Sequence, residues 1–238
     1  MNINNFEKLI ESEIAIADVI RDEAEINKGN RILRFDDSGN NIEVKTIPNI
    51  SVRFKGKNSL IMIHESVNIN FASFEIGEGG FVFIDKGFMV RQKLYVNLGN
   101  IKNTLYIGRF SNVGDATIYA GDEPYSEVVI GSNFLSAYNL KLRAADGHTI
   151  YESDTGKVIN ATKFGIHIGK HVWCGMSVTV IKDVVIPHDC VVGACALVCK
   201  KQFNPHTIIS GVPAKEIRSN ISWSSVSIHD FLSKNQEK

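Results

Sequence analysis

Residues 168–197 read IGKHVWCGMSVTVIKDVVIPHDCVVGACAL, which divides without a gap into five successive hexads. The first positions are Ile168, Cys174, Val180, Ile186 and Val192, and the fifth positions are Val172, Val178, Val184, Cys190 and Ala196. Each fifth residue precedes the next first residue by two, so in an extended chain both side chains point to the same face. This period is typical of a parallel β-helix with one short strand and one turn per hexad, and it lacks the spacing of an amphipathic α-helix.

Composition narrows the possible functions. The chain has 238 residues, no formal net charge and 44% hydrophobic residues, which argues against a nucleic-acid partner. No apolar run approaches the ~20 residues of a transmembrane helix, and the acidic N-terminal stretch lacks the pattern of a signal peptide. The cysteines contain no CxxC pair, so they predict neither a zinc site nor a disulfide framework, and a reducing cytoplasm is expected. They are Cys174, Cys190, Cys195 and Cys199.

Three regions are predicted along the chain. Residues 1–45 form an N-terminal cap of a helical segment (5–28) followed by strand-like pieces. Residues 46–202 form the parallel β-helix, interrupted by insertions near 119–129 and 146–167. Residues 203–238 form a C-terminal extension whose short helix is expected to cover the last coil. The predicted fold class is therefore all-β.

Two sequence features suggest a site. His148 follows Asp146 and Gly147 at the start of the second insertion, and histidine suits a general base near neutral pH. Trp173 lies between the inward-facing Val172 and Cys174, so its indole is expected to point outward, where something should cover it. A loop histidine without a role and a tryptophan that only contacts another subunit remain open alternatives. Gly175, at the next outward position, would let a ligand approach the backbone closely.

These features resemble the hexapeptide-repeat (left-handed β-helix) acyltransferases, and within them the sugar and polysaccharide O-acetyltransferases. The resemblance is carried by residues 146–160 (DGHTIYESDTGKVIN), by residues 166–200 and by SGVPAKEIR at 210–218. It implies left-handed coils, whereas the general rule for parallel crossovers favours right-handed ones.

The resemblance also implies roles for individual residues. The catalytic histidine of these enzymes lies about two dozen residues before a tryptophan in V-W-x-G, and His148 precedes Trp173 by 25 residues. That tryptophan borders the acceptor and pantetheine sites, and Asp146 is a candidate to orient the imidazole or contact the acceptor. The positions implied along the coenzyme A arm and phosphates are Gly175, Met176, Ala194, Cys199, Lys200, Lys215 and Arg218. Met176 and Cys199 depart from the residues that are usual there.

The function implied is acetyl-CoA-dependent O-acetylation of a sugar hydroxyl on a bacterial surface glycan, a capsule or lipopolysaccharide, by direct transfer in a cytoplasmic homotrimer. N-acetylation of an amino sugar nucleotide and a non-catalytic structural β-helix are the alternatives. No metal is expected. His167 and His171 suggest the metal site of gamma-class carbonic anhydrases, but a strand-plus-turn spacing does not bring two imidazoles together. His64, His188, His206 and His229 are interpreted as surface or turn residues, and Lys182 as an outward-pointing lysine.

Overall fold

The computed structural model describes residues 29–199 and 201–236, so the helix predicted over residues 5–28 lies outside the described residues. Short strands make up most of this part of the chain, and one helix, α1, follows them. The strands are β1 (Arg31–Phe35), β2 (Asn41–Glu43), β3 (Ile50–Phe54), β4 (Leu60–His64), β5 (Asn68–Ile69), β6 (Ala72–Ile76), β7 (Phe81–Ile84), β8 (Met89–Val90), β9 (Leu94–Leu98), β10 (Thr104–Ile107), β11 (Asn112–Val113), β12 (Ala116–Tyr119), β13 (Glu127–Ile130), β14 (Leu135–Ser136), β15 (Leu140–Arg143), β16 (Gly165–Ile168), β17 (Trp173–Cys174), β18 (Thr179–Ile181), β19 (Val184–Ile186), β20 (Val191–Val192), β21 (Leu197–Val198), β22 (Ile208–Gly211) and β23 (Ala214–Arg218); α1 is Ile228–Gln236.

The strands form three sheets that run along the stack of coils. Sheet A has the order β2-β1-β4-β7-β10-β13-β16-β19, sheet B the order β3-β6-β9-β12-β15-β18-β21, and sheet C the order β5-β8-β11-β14-β17-β20-β22-β23. Named strands pair in parallel except β1 with β2 and β22 with β23. Each coil crosses sheets A, C and B in turn, so the cross-section is a triangle. The fold is the predicted all-β, left-handed parallel β-helix. Sheet A already includes β1, which lies within the segment assigned to the N-terminal cap.

The hexad frame places the core correctly. All ten first- and fifth-position residues of the five hexads are at most 1% exposed, and they belong to one apolar cluster inside the coils. Every fourth position turns a corner in the left-handed backbone region, with φ of 53° to 60°. These corner residues are His171, Ser177, Asp183, Asp189 and Cys195. Polar residues such as aspartate and histidine adopt this conformation more readily than β-branched ones do.

Sheet A is apolar on its outer face as well. Along β4, Ile61 and Ile63 point into the coils, whereas Leu60 and Met62 belong to a second buried cluster. Phe83 lies at the centre of this second cluster and stacks on Phe35 and Tyr106, with ring centroids 5.2 and 5.4 Å away. A sheet that is buried on both faces is built from nearly continuous apolar runs, which explains why strict alternation is weak in the strands of sheet A.

Both insertions leave the coils at the corner between sheets B and A. The first spans residues 120–126, between β12 and β13, and the second spans 144–164, between β15 and β16. The next coil passes the same corner at Lys182, whose side chain is only 15% exposed and forms an ion pair with Asp146 at 2.6 Å. Lys182 points outward, as interpreted from the sequence, but the second insertion folds back over it and supplies an ion-pair partner.

The C-terminal extension begins as a hairpin and ends in α1. Ser227 caps the helix, since its Oγ accepts the Asp230 amide at 3.1 Å and donates to the Asp230 carboxylate at 2.7 Å. The predicted helix is present, but Ile228 is 82% exposed and Phe231 50% exposed, so these side chains do not seal the last coil. No helix within residues 29–199 and 201–236 is long and apolar enough to cross a membrane.

The four cysteines are free thiols, in agreement with their spacing. Cys174 and Cys190 lie in the core, and burial raises the pKa of both thiols, so they behave as small hydrophobic side chains.

We expect Val180→Asp to destabilise the protein by more than about 4 kcal/mol, because it buries a carboxylate without a partner in the core. The matched control is Thr179→Asp on the same strand, where the side chain points outward beside Lys141 of β15. Urea unfolding monitored by circular dichroism measures both. Equal losses of stability would mean that the inward–outward frame of β18 is wrong.

Candidate functional site

The second insertion is a hairpin-like loop. Tyr151 pairs with Val158 across the loop. Asn160 closes the base of the loop, called here the neck, where the chain leaves and rejoins the coil stack. The Asn160 amide donates to Asp146 Oδ2 at 2.9 Å and to the carbonyl oxygen of His148 at 2.8 Å, and its Oδ1 accepts the Ile150 amide at 2.8 Å. One side chain therefore ties together both ends of the neck and the backbone of the candidate base.

An ion pair between Lys182 and Asp146 stabilises this neck. Lys182 donates to Asp146 Oδ2 and also to the carbonyl oxygen of Asn160. The hydrogen bond from Lys182, followed by that from Asn160, lowers the pKa of Asp146 below its usual value despite the opposing effect of burial. Asp146 is therefore an anion at neutral pH, held by residues of its own loop and of the next coil. In this structure Asp146 braces the loop, and among the described residues nothing hydrogen-bonds the His148 imidazole.

His148 is exposed and lines a depression of about 270 Å³ with residues of both insertions. Asp122 and Glu123 come from the first insertion, and the sequence analysis did not identify them. Each has a partner: Asp122 pairs with Arg143 at 2.9 Å, and Glu123 accepts two hydrogen bonds from Thr162 at 3.0 Å. The signal that would have found them is that both insertions leave the coil stack at the same corner.

Trp173 points outward from β17, as predicted, and is 39% exposed. Trp223, from the C-terminal extension, lies beside it with ring centroids 6.0 Å apart. Trp223 also stacks on His171 at 4.2 Å and donates its indole N–H to the carbonyl oxygen of His171 at 2.8 Å. The extension therefore covers part of the Trp173 surface, a contact that the sequence did not reveal because fifty residues separate the two indoles.

The residues predicted along the coenzyme A arm lie on several parts of the coil. Gly175 stacks on the next coil so closely that a Cβ would approach the Ala194 nitrogen to 2.7 Å, so coil packing by itself requires glycine here. Met176 and Ala194 are exposed at the corner between sheets C and B. Cys199 is exposed just after β21, and Lys200 lies outside the described residues. Lys215 and Arg218 are exposed on β23.

A single protomer does not unite all of these residues. His148 lies at the corner between sheets B and A, and Trp173 lies on sheet C, the face opposite that corner in the triangular cross-section. The depression around His148 includes Asp146 but not Trp173. The candidate base and the candidate coenzyme surface therefore belong to different sides of the same stack of coils.

His167 and His171 do not converge. His167 lies on β16 and contacts Glu127 at 2.6 Å, whereas His171 lies at the next corner and contacts Asp189 at 2.6 Å. The two therefore do not form the metal site that was considered from their spacing. His64 is buried on β4, at 4% exposure, so its interpretation as a surface or turn residue was wrong. His188 is 9% exposed but lies in a turn, in agreement with that interpretation.

No protein-family profile matches the chain. It is 28% identical to a polysialic acid O-acetyltransferase of Escherichia coli O1:K1 / APEC over 153 residues, which cover 64% of this chain and 48% of that protein. It is 33% identical to a polysialic acid O-acetyltransferase of Neisseria meningitidis over 129 residues, 54% of this chain and 59% of that protein. The chain thus matches about half the length of these relatives.

Similarity in three dimensions is more extensive. The crystal structure of the polySia specific acetyltransferase NeuO superposes with a TM-score of 0.73 at 25% sequence identity, covering 88% of this chain and 91% of that one. In sequence and in fold the chain is therefore similar to polysialic acid O-acetyltransferases, which confirms its predicted resemblance to the hexapeptide-repeat acyltransferases.

Proposed function

We propose that this protein is an acetyl-CoA-dependent O-acetyltransferase that modifies a sugar hydroxyl of a bacterial surface glycan, in a capsule or lipopolysaccharide. The observation that carries the proposal is His148, an exposed imidazole on a braced neck beside a polar depression. The relatives named as polysialic acid O-acetyltransferases support a sialic-acid-containing glycan as the acceptor.

In the proposed reaction His148 is the general base. The imidazole accepts the proton of the acceptor hydroxyl as its oxygen attacks the thioester carbonyl of acetyl-CoA. The tetrahedral intermediate then expels the coenzyme A thiolate, and the imidazolium returns the proton to that sulfur. The product is a sugar acetate ester and free coenzyme A. Because two of the depression's three carboxylates, Asp146 and Asp122, form ion pairs with Lys182 and Arg143, they oppose a negatively charged acceptor less strongly than unpaired carboxylates would.

Direct transfer fits the residues that surround the base. Neither insertion contains a cysteine, so neither offers a thiol nucleophile next to His148 for a covalent acyl-enzyme. Coenzyme A is expected to lie along the exposed corner of Met176 and Ala194, with Lys215 and Arg218 meeting its phosphates. Trp173 would border the pantetheine arm and the acceptor, with Asp146 a further acceptor contact.

The same geometry supports a homotrimer. Because His148 and Trp173 lie on opposite sides of one protomer, a complete site requires a neighbouring copy that brings its Trp173 face to this His148 corner. A cytoplasmic location agrees with four cysteines that are all free thiols.

The proposal is tested by following coenzyme A release with a panel of acceptors: oligosialic acid, neutral hexose oligosaccharides and amino sugar nucleotides. We expect turnover with the sialic-acid acceptor, and we expect mild alkali to remove the product's acetyl group because an ester, unlike an amide, is labile to base. An alkali-stable product on an amine would contradict O-transfer. Absence of acetyl-CoA binding would instead identify the chain as a structural β-helix.

We expect His148→Ala to lower turnover by about two to four orders of magnitude, the usual effect of losing a positioned base, while coenzyme A affinity stays within a few-fold. The control is His229→Ala, which removes an exposed histidine on α1 and should leave both quantities unchanged. Steady-state kinetics and calorimetric titration with coenzyme A measure the two effects. More than a tenth of the original turnover in the His148 variant would exclude it as the base.

We expect Trp173→Ala to raise the Michaelis constant for acetyl-CoA or the acceptor without disrupting the coils, because the indole points away from the core. Kinetics are measured together with molar mass by light scattering. A trimer with unchanged constants for both substrates would show that Trp173 borders no site. Activity lost in proportion to dissociation would show that it is only a subunit contact.

A further inference from the structure

The corner between sheets A and C carries a ladder of polar side chains. His171, Asp189 and His206 turn this corner in three successive coils, all in the left-handed region, with φ of 53°, 57° and 58°. Backbone hydrogen bonds keep them in register, from the Asp189 amide to the Lys170 carbonyl at 3.0 Å and from the His206 amide to the His188 carbonyl at 3.4 Å. Because neighbouring coils are spaced by about 4.8 Å, equivalent side chains are stacked within reach of one another.

The side chains of this ladder converge on Asp189. His171 Nδ1 lies 2.6 Å from Asp189 Oδ1, and His188 Nδ1 lies 2.7 Å from Asp189 Oδ2. The ring of His206 meets the ring of His188 edge-on, with centroids 5.1 Å apart. One potential ligand atom from each of His188, Asp189 and His206 lies within 4.8 Å of the other two. His188 is nearly buried, whereas Asp189 and His206 are half-exposed, so an ion could enter from solvent.

We propose that His188, Asp189 and His206 form a binding site for a divalent transition-metal ion of the zinc class. Two imidazole nitrogens and one carboxylate oxygen are ligands that zinc accepts, and water would complete a tetrahedral set. Ligand atoms around zinc are separated by about 3.3 Å when the bonds are near 2 Å, so the three side chains need only a small inward rotation. The proposal departs from the expectation, drawn from the sequence, that the chain binds no metal.

His171 would orient the site from outside the ligand set. It holds the second oxygen of Asp189, the type of contact that fixes a carboxylate ligand in metalloproteins. His171 also stacks on Trp223. The site therefore connects the last complete coils to the C-terminal extension, through His206 on one side and Trp223 on the other.

The consequence of binding would be structural. His188 and Asp189 precede β20, and His206 precedes β22, so the ion would cross-link two consecutive passes of the chain through this corner. The segment between them includes β21 and Cys199, part of the surface on which coenzyme A is expected. An ion that binds only the folded chain raises its stability by mass action. This inference stands independently of the acyl-transfer chemistry, in which the ion takes no part.

The test uses the untagged full-length protein after treatment with a chelator and its removal. Zinc chloride is titrated by calorimetry, and cobalt chloride is titrated while the visible absorption of the Co²⁺ ion is recorded. We expect one equivalent of zinc to bind, the cobalt complex to develop the absorption of a low-coordination site with nitrogen and oxygen ligands, and zinc to raise the melting temperature by several degrees.

The diagnostic variant is His206→Asn, because asparagine tolerates the positive φ at this corner and therefore preserves the turn. We expect it to weaken zinc binding at least tenfold and to abolish the thermal shift, with its circular dichroism spectrum unchanged. The matched control, His229→Asn on α1, should bind zinc as the original protein does. Asp189→Asn provides a second ligand variant should His206→Asn fold poorly.

Two results would overturn the proposal. Binding of much less than one equivalent would mean that the ladder is held by hydrogen bonds alone. Equal zinc affinity in the original protein and in both ligand variants would mean that the ion binds elsewhere.

Discussion

Hydrogen bonding between successive coils is the constraint on which this molecule depends. Peptide groups in each coil pair with the coils on either side, as where the Gly175 amide donates to the Val192 carbonyl at 2.8 Å and the Thr179 amide to the Ala196 carbonyl at 2.9 Å. This pairing is continuous only if every coil has the same perimeter. Side chains of similar size must therefore fill the interior at each level, and the backbone must turn at the same position in each hexad. The need to turn at the same position explains the left-handed corner residue in each hexad. The need to fill the interior evenly explains the ten hexad residues that are at most 1% exposed.

The stack of coils also explains how the loop that carries His148 is held in place. The second insertion leaves at a corner, where it interrupts no strand pairing, and then attaches to the next coil through Asp146 and Lys182. Asn160 closes the neck on the backbone of His148. The backbone of His148 is thus held by two coils rather than by the loop alone. The ion pair of Asp122 with Arg143 connects the first insertion, which leaves the preceding coil, to the strand from which the second insertion starts.

The outer faces of sheets A and C differ in chemistry. Sheet A carries a second apolar layer around Phe83, whereas sheet C presents Trp173 to its surroundings. The corner between them holds the His171–Asp189 contact, onto which Trp223 packs from the C-terminal extension. The part of the extension that follows β23 is thereby attached to the coils by ring stacking and by a hydrogen bond from the Trp223 indole, whereas the apolar side chains of α1 are exposed.

The sequence by itself determined the coil. Hexad periodicity identified the inward side chains from Ile168 to Ala196. Side chains alternate between the two faces of a strand, and only one choice of face keeps the apolar residues of every hexad out of water. It also predicted that the side chain of Trp173 points outward. The left-handed sense came from resemblance, since the general physics of parallel crossovers favours the opposite hand.

Contacts between residues far apart in sequence were decided only by the tertiary structure. The pairing of Lys182 with Asp146, the Asp122 and Glu123 carboxylates beside His148, and the convergence of His188, Asp189 and His206 all join different coils. A one-dimensional pattern specifies which face a side chain takes, because that depends on local backbone alternation. It does not specify which neighbour an insertion meets when it folds back, because that depends on the corner from which it leaves and on how the coils stack in space.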